Sequence, residues 1–143
     1  MVLNMAGKMI EATWISIKEQ THSVRFDCHV VMPNHFHALV WVQSSVAAAP
    51  VAAEDNEIPF RRGIQNEEIL RLMHEFKSRT TSEYIKGVRR GEYEPFNIAV
   101  WQRSYYDQIV RKTELIQKVR NYIDHNPAKW TEDRFHPNYK ERL

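Results

Sequence analysis

The spacing of apolar and polar residues predicts alternating helices and strands in the first third of the chain. An apolar stripe at positions i, i+4 and i+7 predicts an amphipathic helix over residues 5–20; the stripe consists of Ile10, Trp14 and Ile17. Residues 24–32 alternate between apolar and polar types, which predicts a strand. Its predicted buried face consists of Val24, Phe26, Cys28, Val30 and Met32. The dipeptide Pro33-Asn34 then predicts a tight turn into a second strand, giving a β-hairpin.

The second half of the chain predicts two further helices with an extended segment between them. We expect Asn66 to cap the first of these helices and Gly87 to end it. Its apolar stripe consists of Ile69, Met73, Phe76, Thr80 and Tyr84. Residues 98–110 are predicted to be extended, and the last helix precedes Pro127. The order helix, strand, strand, helix, strand, helix favours an α+β fold with an antiparallel sheet packed with helices.

Length and composition predict one soluble domain over residues 1–143. With 43% hydrophobic and 27% charged residues, the chain has the composition of a globular protein. The single cysteine excludes an internal disulfide and fits a reducing cytoplasm. Apolar runs are too short for a membrane span or a signal peptide. Residues 44–60 are expected to be a flexible insertion, and residues 131–143 a polar tail that frays.

Charge is distributed unevenly, although the net charge is only +2. Basic residues outnumber acidic ones two to one in residues 60–90, which could present a basic surface to DNA phosphates. The candidate contacts in this region are Arg61, Arg62, Lys77 and Arg79. Alternatively, these charges only solvate helix faces.

Aromatic and basic residues also interleave in the extended segment. Trp101 and Arg103 suit stacking on unpaired bases and pairing with phosphates, and Tyr105 and Tyr106 follow them. The alternative is that Trp101 and one of the tyrosines fill the core.

Two histidines, His35 and His37, are the strongest chemical signal. Side chains in a strand alternate between faces, so both imidazoles leave the same face of the second strand. The residues predicted to be buried on the opposite face are Phe36, Ala38, Val40 and Val42. A pair of imidazoles suits a divalent cation, which then needs a third ligand from elsewhere in the chain.

Asn126 is a candidate for that third ligand. It lies one turn beyond Tyr122 on the same side of the last helix, near the apolar stripe formed by Leu115, Ile116, Val119 and Ile123. An amide buried against the sheet must find a partner, and a cation held by the histidines would be one. The alternative is that Asn126 only ends the helix, because Pro127 disfavours the α conformation in the residue before it.

Four segments in this order resemble the REP-associated tyrosine transposases. These are single-tyrosine HUH transposases (His, hydrophobic residue, His) of the insertion-sequence-200-like superfamily. The segments are Val31–His37, Phe76–Ser78, Trp101–Asp107 and Tyr122–Trp130. The resemblance covers about residues 1–130, and it implies a ferredoxin-like or RNA-recognition-like sheet. Members of this family usually have a strand before the first helix, whereas here Met1 lies just before that helix. Either the true start lies upstream, or the gene is truncated and the sheet lacks this strand, or residues 1–4 or a second subunit supply the missing edge.

The resemblance also implies an activity. Tyr122 would attack a phosphodiester of single-stranded DNA at a hairpin site and form a 5′-phosphotyrosine. The metal ligands would be His35, His37 and Asn126, holding Mg²⁺ or Mn²⁺. The resemblance leaves the oligomeric state open between a homodimer and a monomer, since relatives of both kinds exist. The expected location is the cytoplasm, in association with the nucleoid.

Three alternatives remain open at this point. Tyr105 and Tyr106 are rival nucleophiles. The chain could be a degenerate relative that binds DNA without cleaving it. A zinc hydrolase built on His35 and His37 would lack an evident carboxylate ligand.

Overall fold

A computed structural model describes residues 2–42, 66–110, 112–132 and 136. In this part of the chain there are three α-helices, two β-strands and one 3₁₀ helix. They are α1 (Met5–Gln20), β1 (Val24–Val31), β2 (Phe36–Val42), α2 (Glu67–Arg89), α3 (Thr113–His125) and the 3₁₀ helix (Asn126–Glu132). The fold class is therefore α+β, as predicted. The two strands form an antiparallel sheet that packs against the helices, consistent with a ferredoxin-like sheet lacking a strand.

Helix α1 supplies the centre of the core through the predicted stripe. The Asn4 side chain caps the helix by accepting the Gly7 N–H at 2.8 Å. Trp14 and Ile17 are 2% and 0% exposed. The Trp14 indole makes edge-to-face contacts, with centroid separations of 4.9–5.1 Å, to Phe26, Phe36 and Phe76. Each such contact stabilises the fold by about 0.5–1.5 kcal/mol beyond the hydrophobic contribution of the buried area. Through these three contacts the indole joins α1 to both strands and to α2.

The predicted hairpin is present, and its turn is Pro33-Asn34. The Met32 N–H donates to the His35 carbonyl at 2.9 Å, and Val31 pairs with Phe36 just inside the turn. On β2, the core packing predicted from the sequence is found for Phe36, Val40 and Val42. The prediction was wrong for Ala38, which is exposed.

A β-bulge in β1 changes which side chains face the core. Phe26 pairs with Val40 and His29 with Ala38, so β1 carries one extra residue over this stretch. Beyond the bulge the alternation is reversed, and His29 rather than Cys28 faces Trp14, at 6.1 Å between ring centroids. The predicted single buried face was therefore wrong for Cys28 and Val30, because a bulge shifts the period-two alternation by one residue. Met32, at the end of the predicted set, is buried as expected.

Helix α2 begins as predicted but extends beyond the predicted end. Asn66 Oδ1 accepts the N–H groups of Glu68 and Ile69 at 2.9 and 3.2 Å. The helix ends at Arg89, and Gly91 follows with φ of +73°, a conformation typical of a glycine after a helix. Gly87 lies inside the helix because its missing side chain makes room for a ring: a Cβ there would lie 2.2 Å from Tyr93 Cδ2.

The segment predicted as a third strand, residues 98–110, is irregular. Side-chain contacts, and not hydrogen bonds between strands, attach this segment to α2. The Trp101 ring packs on Phe76 at 5.4 Å, and its Nε1–H donates to the Thr80 hydroxyl at 2.7 Å. The Lys77 ammonium donates to two carbonyls of the segment. The strand prediction was wrong because these tertiary contacts outweigh the β propensity of an aromatic-rich run.

Helix α3 packs on the face of the sheet opposite α1 and α2, burying Ile116 and Ile123. The chain then continues without a break into the 3₁₀ helix. Thr131 and Glu132, which the sequence assigned to a fraying tail, are part of that helix.

Several expectations fall outside what the structure describes. These are the insertion at residues 44–60 and the tail at residues 133–135 and 137–143. Among the described helices, none combines the length and apolar composition needed to cross a bilayer.

Candidate active site

The two histidine side chains lie side by side on the face of the hairpin covered by α3. His37 pairs with Val30 within the sheet, and His35 comes directly after the turn. Their ring centroids are 4.8 Å apart, with an angle of 74° between the ring planes. Two imidazoles that share one octahedral ion, at about 2.1 Å from each ligating nitrogen, have centroids about 4.6 Å apart. The observed spacing fits such sharing.

The turn residue Asn34 orients the ring of His35. His35 Nδ1 lies 2.8 Å from Asn34 Oδ1. A carboxamide oxygen only accepts, so this contact favours the neutral tautomer with the proton on Nδ1 and the lone pair on Nε2. On its other side His35 faces Trp130 of the 3₁₀ helix, at 6.2 Å between ring centroids. A hydrogen bond that orients an imidazole in this way is typical of metal-ligating histidines.

Tyr122 lies next to this histidine pair. Its ring meets the His37 ring edge-to-face at 5.4 Å between centroids, and 56% of the residue is exposed. The position follows from the helix period: Ile116 and Ile123 face the sheet, and Tyr122 lies on one flank of that buried stripe. The phenol is therefore both held beside His37 and open to solvent.

Asn126 is buried to 5% exposure and lines one shallow cavity of about 440 Å³ with Tyr122. The interpretation that Asn126 ends the helix is partly correct, and metal binding by its amide stays a prediction. Asn126 is the C-cap of α3, yet its φ and ψ of −56° and −44° are helical, despite Pro127. The 3₁₀ helix accommodates the proline at its second position, where no backbone N–H is needed. The amide thus stays on the side of Tyr122.

The histidine pair offers two imidazole donors, and Asn126, the predicted third ligand, lines the neighbouring cavity with Tyr122. Nitrogen and oxygen donors of these types suit a divalent cation that keeps open positions for a further ligand. No three His, Cys, Asp or Glu side chains gather as a metal site anywhere in the described ranges. A metal at this site would therefore need the amide or an external ligand in addition to the histidines.

An ion pair anchors α3 on the flank opposite Tyr122. The Arg120 guanidinium donates to both oxygens of Asp27 at 2.9 and 2.6 Å, and the Trp41 indole N–H donates to the same carboxylate at 2.7 Å. The hydrogen bond from Arg120 is the main reason that the pKa of Asp27 lies below its ordinary value. Sequence reasoning missed this contact, because the two residues are 93 positions apart.

Three of the six residues predicted to contact DNA are engaged within the protein. Lys77 Nζ donates to the Gln102 and Ser104 carbonyls at 2.8 and 3.3 Å, and burial lowers the pKa of this lysine. Arg79 pairs with Glu75 at 2.7 Å and also donates to Gln20. Trp101 fills the edge of the core, as the alternative interpretation proposed.

The remaining predicted contacts differ in their surroundings. Arg103 is exposed, whereas Arg61 and Arg62 lie outside the described residues. Of the rival tyrosines, Tyr105 lies under the Lys77 ammonium at 5.5 Å, and burial raises the pKa of its phenol. Tyr106 is 76% exposed on the irregular segment.

Comparison with known proteins places the chain in a family. It is 30% identical over 139 residues to a protein of Haemophilus influenzae described as uncharacterized, covering 95% of this chain and 72% of that protein. The chain belongs to the same family as this Haemophilus protein. No family model matches the chain, and no solved structure matches it.

Proposed function

We propose that this protein is a metal-dependent DNA strand-transfer enzyme that cleaves and rejoins single-stranded DNA at hairpin sites through Tyr122. The observation that supports the proposal most is the position of the Tyr122 ring, 5.4 Å from His37, which in turn lies 4.8 Å from His35. Tyr122 follows His35 by 87 residues and His37 by 85 residues in the sequence, yet the three side chains lie together within one chain. The resemblance to the REP-associated tyrosine transposases supplies the reaction type.

The chemistry proposed for Tyr122 balances without a nucleotide cofactor. Its phenolic oxygen bonds to the scissile phosphorus, the bond from phosphorus to the 3′ oxygen breaks, and the phenol proton leaves to solvent. The 3′ oxygen takes up a proton and is released as a 3′-hydroxyl. Rejoining reverses these steps with the 3′-hydroxyl of another strand, because the phosphotyrosine link retains the phosphodiester energy.

His35, His37 and Asn126 would hold the divalent ion, Mg²⁺ or Mn²⁺. When bound, the ion would withdraw charge from the non-bridging oxygens of the scissile phosphate and orient the ester for in-line attack. The protein's own contribution is positional. The Asn34 side chain presents His35 Nε2, and the packing of α3 on the sheet holds the phenol next to His37.

The test is formation of a covalent adduct. The purified protein is mixed with a labelled hairpin oligonucleotide and Mg²⁺ or Mn²⁺, and the products are separated on a denaturing gel. The wild type is expected to give a shifted band that EDTA abolishes. Tyr122→Phe should remove the band without weakening DNA binding, while the matched Tyr106→Phe variant should keep it.

Two outcomes would contradict the proposal in different ways. A band that persists in Tyr122→Phe and disappears in Tyr106→Phe would assign the nucleophile to the other tyrosine. Hairpin binding with no band in any metal would favour the alternative, a degenerate relative that only binds DNA. His35→Ala separates the metal's role from binding, since it should remove cleavage and leave the affinity for DNA almost unchanged.

A further inference from the structure

Two lysines that the sequence interpretation did not select border the tyrosine. Lys118 and Lys129 line the same cavity as Tyr122 and Asn126, and both lysines are exposed. Lys118 lies one helical turn before Tyr122, and Lys129 lies in the 3₁₀ helix beyond it. This arrangement differs from that of Lys77 and Arg79, whose charged groups are already bonded within the protein.

The spacing of the two lysines suits a strand that passes over the tyrosine. With a rise of about 1.5 Å per α-helical residue and about 2.0 Å per 3₁₀ residue, Lys118 lies about 6 Å before Tyr122 along the axis and Lys129 about 12 Å after it. Both ammonium groups sit on flexible stems, so they can reach phosphates on either side of one held at the phenol.

The other groups that line the cavity are compatible with an anionic strand. They are Asn121, His125 and Glu132. His125 Nδ1 lies 2.8 Å from the Asn121 carbonyl, so this ring nitrogen is engaged within α3. Glu132 is the single acid among the lining residues. Arg120, which pairs with Asp27 of β1, lies on the opposite flank of α3 from this cavity.

We infer that Lys118 and Lys129 bind the DNA backbone on opposite sides of the scissile phosphate and so centre that phosphate on Tyr122. This inference rests on the proposed function, from which it takes the identity of the strand. The ligand class is single-stranded DNA, recognised through its phosphates and not its bases. The two lysines act as positioning residues, because they hold the strand and take no part in bond making.

The experiment separates this binding role from cleavage. All variants are made in a Tyr122→Phe background, and affinity for a fluorescent hairpin oligonucleotide is measured in EDTA over a range of salt concentrations. Each of Lys118→Ala and Lys129→Ala is expected to weaken binding about three-fold near 0.1 M salt and to flatten the salt slope by about 0.7. The double variant should lose about twice that slope. Lys18→Ala on α1, which removes an exposed lysine from the opposite face of the molecule, is the matched control and should change neither quantity.

A second measurement tests the placement of the lysines. A series of oligonucleotides carries one neutral methylphosphonate at successive positions, and each is bound by the parent and by each lysine variant. When the methylphosphonate replaces the phosphate that Lys118 contacts, Lys118→Ala should cause no further loss of affinity. Lys129→Ala should likewise cause no further loss at a different methylphosphonate position. Those two positions should lie on opposite sides of the phosphate that the wild-type protein links covalently to Tyr122.

The outcomes distinguish failure of this inference from failure of the proposed function. Salt slopes that are unchanged in both lysine variants, or that fall equally in Lys18→Ala, would overturn the inference even if the wild type forms the adduct. Silent methylphosphonate positions on the same side of the adduct would overturn it as well. If the lysine variants flatten the salt slope but the wild type never forms an adduct, the lysines contact phosphates as inferred and the proposed cleavage activity is wrong.

Discussion

The ion pair between Asp27 and Arg120 offers the sharpest test of how the tyrosine helix is held. Asp27→Asn keeps the shape of the side chain and the acceptor for the Trp41 indole, but it removes the charge that Arg120 contacts through two hydrogen bonds. We therefore expect the variant to fold, with α3 less firmly attached to the sheet.

The size of the effect follows from the burial of the carboxylate. The Asp27 side chain is 14% exposed and that of Arg120 is 36% exposed, so solvent screens the pair only in part. A hydrogen bond to a charged group contributes about 1.5–3 kcal/mol. Because of the screening, we expect Asp27→Asn to lower the free energy of unfolding by about 1.5 kcal/mol, near the bottom of that range. For a domain of this size this corresponds to a fall in Tm of about 3–6 °C.

The effect should depend on pH in one direction. The pKa of Asp27 in the folded protein lies below its ordinary value, chiefly because of the hydrogen bond from Arg120. In the unfolded chain the carboxyl titrates near 3.9, at about its ordinary pKa. The stabilisation is thus fully present above that value and is lost as the pH falls through the lower folded-state pKa. The stability difference between wild type and Asp27→Asn should be constant from pH 6 to 8 and should shrink below about pH 4.

The assay is urea unfolding followed by tryptophan fluorescence, with adduct formation measured on the same samples. The control is Glu92→Gln, which removes the carboxylate from an exposed pair with Arg90 and should leave stability unchanged. Asp27→Asn should also slow adduct formation while the affinity for hairpin DNA stays the same. Two results would contradict the role assigned to this ion pair. One is a stability difference between wild type and Asp27→Asn that does not shrink below the pKa of Asp27 in the folded protein, and the other is no difference at pH 7.

Two further predictions concern the histidine site. Asn34→Ala removes the acceptor that contacts His35 Nδ1, and loss of such an orienting contact typically weakens metal affinity 10- to 100-fold. A titration of adduct formation with Mn²⁺ should therefore need about 10- to 100-fold more metal to reach the same maximal yield. An unchanged titration would show that the hydrogen bond does not orient the ligand. Because Tyr122 and His37 meet within one chain, mixing Tyr122→Phe protein with His37→Ala protein should not restore the adduct; a restored adduct would show that the tyrosine of one subunit acts at the histidines of another.

Much of the local structure could be predicted because it depends on short-range patterns. The stripe of Trp14 and Ile17, the turn at Pro33-Asn34 and the cap at Asn66 each need only neighbouring residues, and each is present in the structure. The helical period likewise puts Tyr122 and Asn126 on the same side of α3. These features follow from backbone geometry and hydrogen bonding within a few residues.

The errors have a common physical cause in tertiary contacts. The end of α2 was misplaced because Gly87 accommodates the Tyr93 ring, which a local pattern does not reveal. The segment predicted as a third strand is instead attached to α2 through Lys77 and Thr80. The same contacts engage the polar groups of Lys77 and Trp101, which the sequence had offered as DNA contacts, with a core position as the alternative for Trp101.

The helices, the hairpin and the residue types able to perform the proposed chemistry could be predicted from the chain alone, since each depends on local periodicity and on side-chain identity. The positions of Tyr122 beside His37 and of Lys118 and Lys129 beside Tyr122 became known from the folded structure. Those placements depend on how α3 packs across the sheet, which is set by the burial of Ile116 and Ile123 and by the Asp27–Arg120 pair. Packing of this kind joins residues far apart in the chain, and no short-range pattern encodes it.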